Sequence, residues 1–291
     1  LKEIIILAPL GQPLLITYLK LSTLLQKNEF SIKKAYDTER DHEIAIHLEN
    51  NDKTLKRVIK LRISESLEPN KVMLSLVFLN LGKEINSAVN SLLACKIPLT
   101  FGIIPGQTYS SEICGKAIKN GHEVIMQIPM ESKIYPYKSG GHFTIMLHHN
   151  EEQIRVLINS MQYNIKGHSG FACYRGSRLF DDSGIIKNIL AAIDSKKYYY
   201  LDNTLYDPPI IKQIADSLQL PCIVLENALG ENPEKALNNC AAWAEKTGSA
   251  VLSAELNTRH LDFIRQSIPR MEKAGFKWVS VSQILKYKGL L

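Results

Sequence analysis

Apolar runs alternate along most of the chain with segments that repeat apolar residues at helical spacing. From about Val72 onward, eight apolar runs predict buried strands, and helical patterns fall between them. The predicted strands are Val72–Leu79, Leu99–Ile104, Glu123–Ile128, Gly170–Arg175, Tyr198–Asp202, Cys222–Glu226, Ala250–Glu255 and Trp278–Val281. Because regular alternation of strands and helices is typical of a parallel sheet, the pattern predicts an α/β fold with a closed or nearly closed (β/α) barrel.

The first 70 residues follow a different pattern. One apolar strand is followed by a helical pattern and then by two segments that alternate apolar and polar residues, with a polar turn between them. These elements are Glu3–Ala8, Leu14–Leu25, His42–Leu48 and Arg57–Ile63. The two alternating segments are expected to pair as a hairpin. We therefore predict a small α+β module over residues 1–70, followed by the barrel over residues 71–291.

Composition and charge argue against several classes of protein. The 291 residues carry a net charge of +6, but no dense basic block occurs, so nucleic-acid binding is not expected. No apolar run reaches the roughly 20 residues that span a bilayer, so no transmembrane segment is predicted. The five cysteines form no Cys-x-x-Cys pair, which argues against a structural zinc site. The chain begins at Leu1 without methionine, as expected for a mature form whose export signal or anchor is absent.

Short signatures follow the predicted strands in a fixed order. They are Phe78-Leu79-Asn80-Leu81-Gly82, Pro98-Leu99-Thr100-Phe101-Gly102-Ile103-Ile104-Pro105, Gly121-His122-Glu123-Val124, Ile128-Pro129-Met130-Glu131, Gly176-Ser177-Arg178 and Leu201-Asp202-Asn203-Thr204. Each one is weak by itself. Together and in this order, the stretch from Val72 to Leu285 resembles the divergent polysaccharide deacetylases, relatives of the NodB-type deacetylases with a (β/α) barrel of the glycoside hydrolase and deacetylase type.

The resemblance implies hydrolysis of an N-acetyl group by a divalent metal with carboxylate and imidazole ligands and a carboxylate base. This chain carries other residues at the matching strand ends. Leu79 and Asn80 stand where the family has paired aspartates. Gln127, Tyr174 and Glu255 stand where the family has histidines. Asn and Gln bring no charge to a metal and cannot act as a base. We therefore predict five vestigial catalytic positions, with no bound metal and no cofactor.

Several polar residues near the strand ends are candidate ligand-binding positions. The carboxylates among them have two interpretations. They form either a residual acidic cluster that binds a cation or a sugar hydroxyl, or salt bridges to neighbouring arginines. The salt bridges are favoured. The basic pair after the fourth strand could hold a carboxylate or phosphate. His142, in a loop, is the best candidate for an imidazole that replaces a lost ligand, and simple solvent exposure is the favoured interpretation. The candidates are Glu131, His142, Arg175, Ser177, Arg178, Asp202 and Glu226.

Three functions fit these patterns. The leading hypothesis is a catalytically degenerate family member that recognises carbohydrate, such as a glycan or peptidoglycan fragment, in the bacterial cell envelope. The resemblance implies an extracytoplasmic or periplasmic location, and residues 1–70 would contact a protein partner. The alternative is an active metal-dependent carbohydrate deacetylase or hydrolase with a rearranged site. The third is a purely protein-binding scaffold.

Overall fold

The structure is a computed structural model that describes residues 2–9, 14–28, 30–38, 43–50, 52, 54, 56–64, 72–134, 141–205 and 209–291. The chain divides into two compact units, Leu1–Lys71 and Val72–Leu291. In the described part of the chain, no helix has both the length and the apolar content that a membrane crossing requires.

The first unit is a small mixed sheet with one helix. Its elements are β1 (Lys2–Pro9), α1 (Leu14–Lys27), β2 (Phe30–Thr38), β3 (Glu43–Asn50) and β4 (Lys56–Ser64). The strand order is β1-β4-β3-β2, with β1 parallel to β4 and the other pairs antiparallel. Ile46, Leu48, Ile59 and Leu61 form its core beneath α1.

The predicted hairpin of the first unit is confirmed as the β3–β4 pair, although Asn51 of its predicted turn lies outside the described residues. Strand β2 was not predicted. Its pairing with β3 shifts register between Ile32 and Lys34, so its apolar residues do not alternate regularly.

The second unit alternates strands and helices. Its elements are β5 (Val72–Leu81), α2 (Ser87–Leu93), β6 (Thr100–Ile103), α3 (Ser110–Lys119), β7 (Glu123–Met130), α4 (Glu151–Asn164), β8 (Gly170–Arg175), α5 (Ser183–Ala191), β9 (Tyr199–Asp202), α6 (Ile210–Ser217), β10 (Cys222–Val224), β11 (Asn227–Ala228), α7 (Pro233–Thr247), β12 (Ser249–Glu255), α8 (Thr258–Lys273), β13 (Phe276–Trp278) and α9 (Val281–Tyr287). All named strand pairs of this unit are parallel, in the order β10-β9-β8-β7-β6-β5-β12-β11, and β13 also pairs with β5.

The two ends of this sheet are brought together by one short stretch of chain. Strands β10 and β11 are consecutive, and β10 pairs with β9 while β11 pairs with β12. Between them, the Leu225 N–H donates to the Asp202 carbonyl at 2.8 Å, and the Glu226 N–H donates to the Val251 carbonyl at 3.1 Å. We call this stretch, residues 225–226, the seam. It closes the sheet into a distorted barrel, so the predicted (β/α) barrel preceded by a small α+β module is confirmed.

Helix α9 closes the amino end of the barrel. Its residues Val281, Ile284 and Leu285 belong to the same buried cluster as inward-facing strand residues. The Val281 N–H donates to Thr100 Oγ1, and the Ser282 N–H donates to the Glu123 carboxylate, both at 3.3 Å. Because Thr100 and Glu123 begin β6 and β7, the helix lies at the end opposite the strand carboxyl termini, where the mouth stays open.

Two predicted strands differ from the observed elements. The predicted strand Cys222–Glu226 is interrupted: β10 ends at Val224, residues 225–226 form the seam, and β11 follows it. The predicted strand Trp278–Val281 is wrong except for Trp278, because β13 ends there and Val281 begins α9. Ser280 and Gln283 form a capping box there, which satisfies the first N–H groups of the helix.

Candidate functional site

A cleft of about 460 Å³ lies at the carboxyl ends of β5, β8 and β12, and we call it the mouth cleft. Its walls include Leu79, Asn80, Tyr174, Arg175, Asn203 and Glu255. Five of these six were singled out from the sequence, and Asn203 was not. The topology explains why they meet, because parallel strand ends converge at one side of a barrel.

An amide network holds the floor of the mouth cleft. The Asn80 N–H donates to Gln127 Oε1 at 2.6 Å, and Gln127 Nε2 donates to Asn80 Oδ1 at 3.3 Å and to the Cys173 carbonyl at 3.1 Å. Asn80 Nδ2 in turn donates to Glu255 Oε1 at 3.3 Å. Four strands are therefore connected through side-chain amides, and Gln127 is buried beneath the cleft.

Asn80 has a special backbone conformation. Its φ is +66°, and the pairing of β5 with β6 shifts register between Phe78 and Leu81. Asn is among the residues that tolerate the left-handed region best. At this bulge the Asn80 N–H does not pair with the neighbouring strand and donates to Gln127 instead. The Asn80 side chain points towards Glu255.

Tyr174 and Arg175 form the aromatic and cationic wall. Tyr174 is 6% exposed, and the Arg175 guanidinium carbon lies 5.0 Å from the centroid of its ring. This is a cation–π distance. Arg175 also has a φ of +66°, and Gly176 follows at +93°, so the chain turns sharply away from the strand here. The turn leaves the Arg175 side chain exposed at the cleft.

Asn203 fixes the end of β8. Its Oδ1 accepts from the Cys173 N–H at 3.1 Å and from Cys173 Sγ at 3.0 Å, while its Nδ2 donates to the Cys173 carbonyl at 3.1 Å. Burial raises the pKa of the Cys173 thiol to about 12. The thiol is therefore protonated at neutral pH.

Asp202 lies below the cleft instead of in its wall. It is 1% exposed, and its Oδ1 accepts from the Thr204 N–H at 3.1 Å and from Thr204 Oγ1 at 2.6 Å. Its Oδ2 has no hydrogen-bond partner among the described residues. Asp202 thus organises the turn after β9.

Glu131 forms a salt bridge with Arg178, and a salt bridge to a neighbouring arginine was the favoured prediction for this carboxylate. Arg178 Nη1 lies 2.6 Å from Glu131 Oε1, and the other carboxylate oxygen accepts from the Leu147 N–H at 2.8 Å. Glu131 is 4% exposed. It therefore ties two loops together and does not line the mouth cleft.

Three other candidate residues also lie outside the cleft wall. Ser177 Oγ accepts from the Lys133 N–H at 3.1 Å. His142 is exposed and its ring packs 4.0 Å from that of Phe143. The structure differs from the expectation for Glu226, because this side chain lines a separate groove beside α7 and not the mouth cleft.

The residues of the mouth cleft do not fit the divalent metal that the family resemblance implies. The amide oxygens of Asn80 and Gln127 already accept hydrogen bonds from each other's N–H groups, and Leu79 offers no donor atom. Glu255 is the single carboxylate among the described residues of the cleft wall. No group of three His, Cys, Asp or Glu residues suited to a metal occurs within the described ranges. Carboxylates and imidazoles are the usual ligands of such ions.

Solved structures share this architecture. An uncharacterized protein from Agrobacterium tumefaciens is 19% identical, with 73% of this chain and 88% of that chain covered at a TM-score of 0.67. A CE4-family pseudoenzyme from Bacillus anthracis is 12% identical, covering 91% of this chain and 94% of that chain at a TM-score of 0.42. At these identities the likeness concerns the fold alone, and the Agrobacterium protein supports the barrel.

Sequence comparison gives the family directly. No curated protein matches the chain significantly. A sequence profile described as "Divergent polysaccharide deacetylase" matches residues 77–285, which is more than half of the chain. This range begins within β5 and ends within α9, so it contains every wall of the mouth cleft. The chain therefore belongs to the divergent polysaccharide deacetylase family.

Proposed function

We propose that this protein is a catalytically degenerate member of its family, and that its mouth cleft binds a glycan without hydrolysing the N-acetyl groups. The observation that carries the proposal is the amide network of Asn80, Gln127 and Glu255. It commits the polar atoms at these strand ends to hydrogen bonds within the protein. Deacetylation by a metal needs a bound water and a base, and Leu79 supplies neither a ligand nor a base.

The cleft has chemistry suited to sugar hydroxyls. Its volume lies within the usual range of small-molecule sites, roughly 300–1,000 Å³. Arg175 donates hydrogen bonds, and Glu255 retains acceptor capacity beyond the bond from Asn80. The Tyr174 ring adds an apolar wall. A neutral glycan can thus be oriented by both charged groups without a reaction at either.

The proposal is tested with one substrate and two measurements. N-acetylated chito-oligosaccharides are titrated by calorimetry, and acetate release is followed with and without added zinc or cobalt. We expect binding without acetate release. Arg175→Ala should weaken binding roughly tenfold, since a charge-assisted hydrogen bond contributes about 1.5–3 kcal/mol. Arg155→Ala, which removes an exposed arginine of α4, is the matched control and should bind as the wild type does.

Two outcomes would replace this proposal. Acetate release by the wild type that Glu255→Gln abolishes would establish an active enzyme with a rearranged site. Absence of both binding and release would favour a protein-binding scaffold.

The proposed setting is the bacterial cell envelope, outside the cytoplasm, with a peptidoglycan fragment as the glycan. Residues 1–70 are proposed to contact a protein partner, and the exposed Leu15, Leu19 and Leu24 of α1 support this. Cell fractionation with protease protection tests the location, and a pool found wholly in the cytoplasm would contradict it. Crosslinking in cells tests the partner, since Leu19→Glu should remove a crosslinked species.

A further inference from the structure

A second groove lies on the flank of the barrel, where the seam faces α7. This flank groove has a volume of about 530 Å³. Its walls include Leu205, Leu225, Glu226, Asn227, Asn239 and Trp243. Among the described residues, most of the wall is aliphatic or aromatic, and the polar groups are one carboxyl group and two amides. The described wall is therefore a mixed surface with one acidic group.

Glu226 occupies the place where the strand ladder is interrupted at the seam. Its Oε2 accepts from the Val251 N–H at 2.5 Å, and the Trp243 side chain interacts with the carboxyl group from α7. No lysine, arginine or histidine of the described residues lies within salt-bridge distance of it. Lys288 acts on it electrostatically, and Cys240 faces it from α7. A partly buried carboxylate without a salt bridge favours a positively charged ligand.

Trp243 provides a platform beside this carboxylate. The side chain is 51% exposed, although it lies next to the buried positions Cys240 and Ala244 of α7. An exposed indole attracts both the apolar face of a ring and a cation held above it. The amides of Asn227 and Asn239 can each donate and accept hydrogen bonds, as vicinal hydroxyl groups require.

The flank groove lies beside the mouth cleft. Leu205 and Leu225 line both of them. The indole platform and the two amides favour a cationic sugar over a single small cation.

We propose that the flank groove binds a hexosamine unit in its free-amine form, with the sugar ring on Trp243 and the protonated amine on Glu226. An N-acetylated unit carries no charge for Glu226, so the groove should select the de-N-acetylated sugar. Burial raises the pKa of Glu226 to about 7, and a bound ammonium group would favour the ionised carboxylate. The site is separate from the mouth cleft and does not depend on the function proposed for it.

Calorimetric titration of the full chain tests the inference. The probes are a glucosamine tetramer, its fully N-acetylated counterpart and a trilysine peptide, all in about 0.15 M salt, so that the net charge of +6 is screened. We expect the free-amine tetramer to bind at least tenfold more tightly than either other probe. Glu226→Gln and Trp243→Ala should each weaken that binding roughly tenfold or more. The first removes the carboxylate that pairs with the amine, and the second removes the aromatic face beneath the sugar ring.

Two controls separate this site from other surfaces. Tyr163→Ala removes an aromatic side chain that is 77% exposed on α4, and it should bind as the wild type does. Arg175→Ala alters the mouth cleft and should also leave binding of the free-amine tetramer within about threefold. An equal loss of affinity for both tetramers in Glu226→Gln, tighter binding of trilysine, or unchanged binding of the free-amine tetramer by both Glu226→Gln and Trp243→Ala would overturn the inference.

Discussion

Replacing Glu226 with glutamine should remove a pH dependence of folding stability. Burial raises the pKa of this carboxyl group from its ordinary value of 4.5 to about 7 in the folded protein. Between these values the folded state binds more protons than the unfolded state does. The stability contributed by the protonated group is therefore fully present below about pH 4.5 and is lost as the pH rises through about 7.

The size of the effect follows from the shift. Each unit of pKa corresponds to about 1.4 kcal/mol, so the full difference is roughly 3 kcal/mol. Because Glu226 lines a groove that water can enter, we expect about 1–3 kcal/mol in practice. Glutamine keeps a side-chain oxygen that can accept from the Val251 N–H, so the seam itself should persist.

The assay is urea unfolding of wild type and Glu226→Gln at several values between about pH 5 and pH 8. The free energy of unfolding of the variant, relative to the wild type, should rise by about 1–3 kcal/mol across this range. Glu152→Gln, exposed on α4, is the matched control and should stay parallel to the wild type. Parallel curves for Glu226→Gln and wild type would refute the reasoning.

The remaining predictions concern packing and the amide network. Gly170→Ala should cost about 1–3 kcal/mol in urea unfolding, because a Cβ there would lie 2.8 Å from the buried Tyr199 ring. Gly115→Ala has nothing within 4 Å and lies in α3, so the same assay should show a gain of about 1 kcal/mol, and a loss would contradict it. Gln127→Leu should cost about 1–3 kcal/mol by leaving the Asn80 N–H without its acceptor, and an unchanged unfolding midpoint would show that water replaces it.

The barrel could be predicted from the sequence because parallel strands buried on both faces are continuous apolar runs. The segment Val72–Leu79 is such a run, and it forms β5. The divided strand at the seam could not be predicted in this way. Its bonding changes from β9 to β12 between Leu225 and Glu226, and such a change of partner leaves no mark in the local pattern of apolar residues.

For the candidate site, the sequence located the residues but not their partners. Tyr174, Arg175 and Glu255 could be assigned to the mouth because they end predicted strands. The role of Asn203 was missed, because its hydrogen bonds are made to Cys173 on the neighbouring strand. The register between two strands is not visible in a single sequence. Glu226 was misplaced for a simpler reason. Its side chain was assigned to the mouth on the assumption that the strand continues through Glu226. The strand ends before the seam, so the alternation of faces does not continue there.

The position of β5 in the sheet has a consequence for synthesis of the chain. This strand pairs with β6 soon after it is made, but its other neighbour, β12, begins only at Ser249, and β13 follows later still. At roughly 5–20 residues per second, a ribosome needs on the order of ten to thirty seconds to pass from Leu81 to Ser249. During that time a long apolar strand has one edge open to other nascent chains. The growing polypeptide therefore needs that edge shielded, by its own early helices or by a chaperone, until about its last seventh emerges.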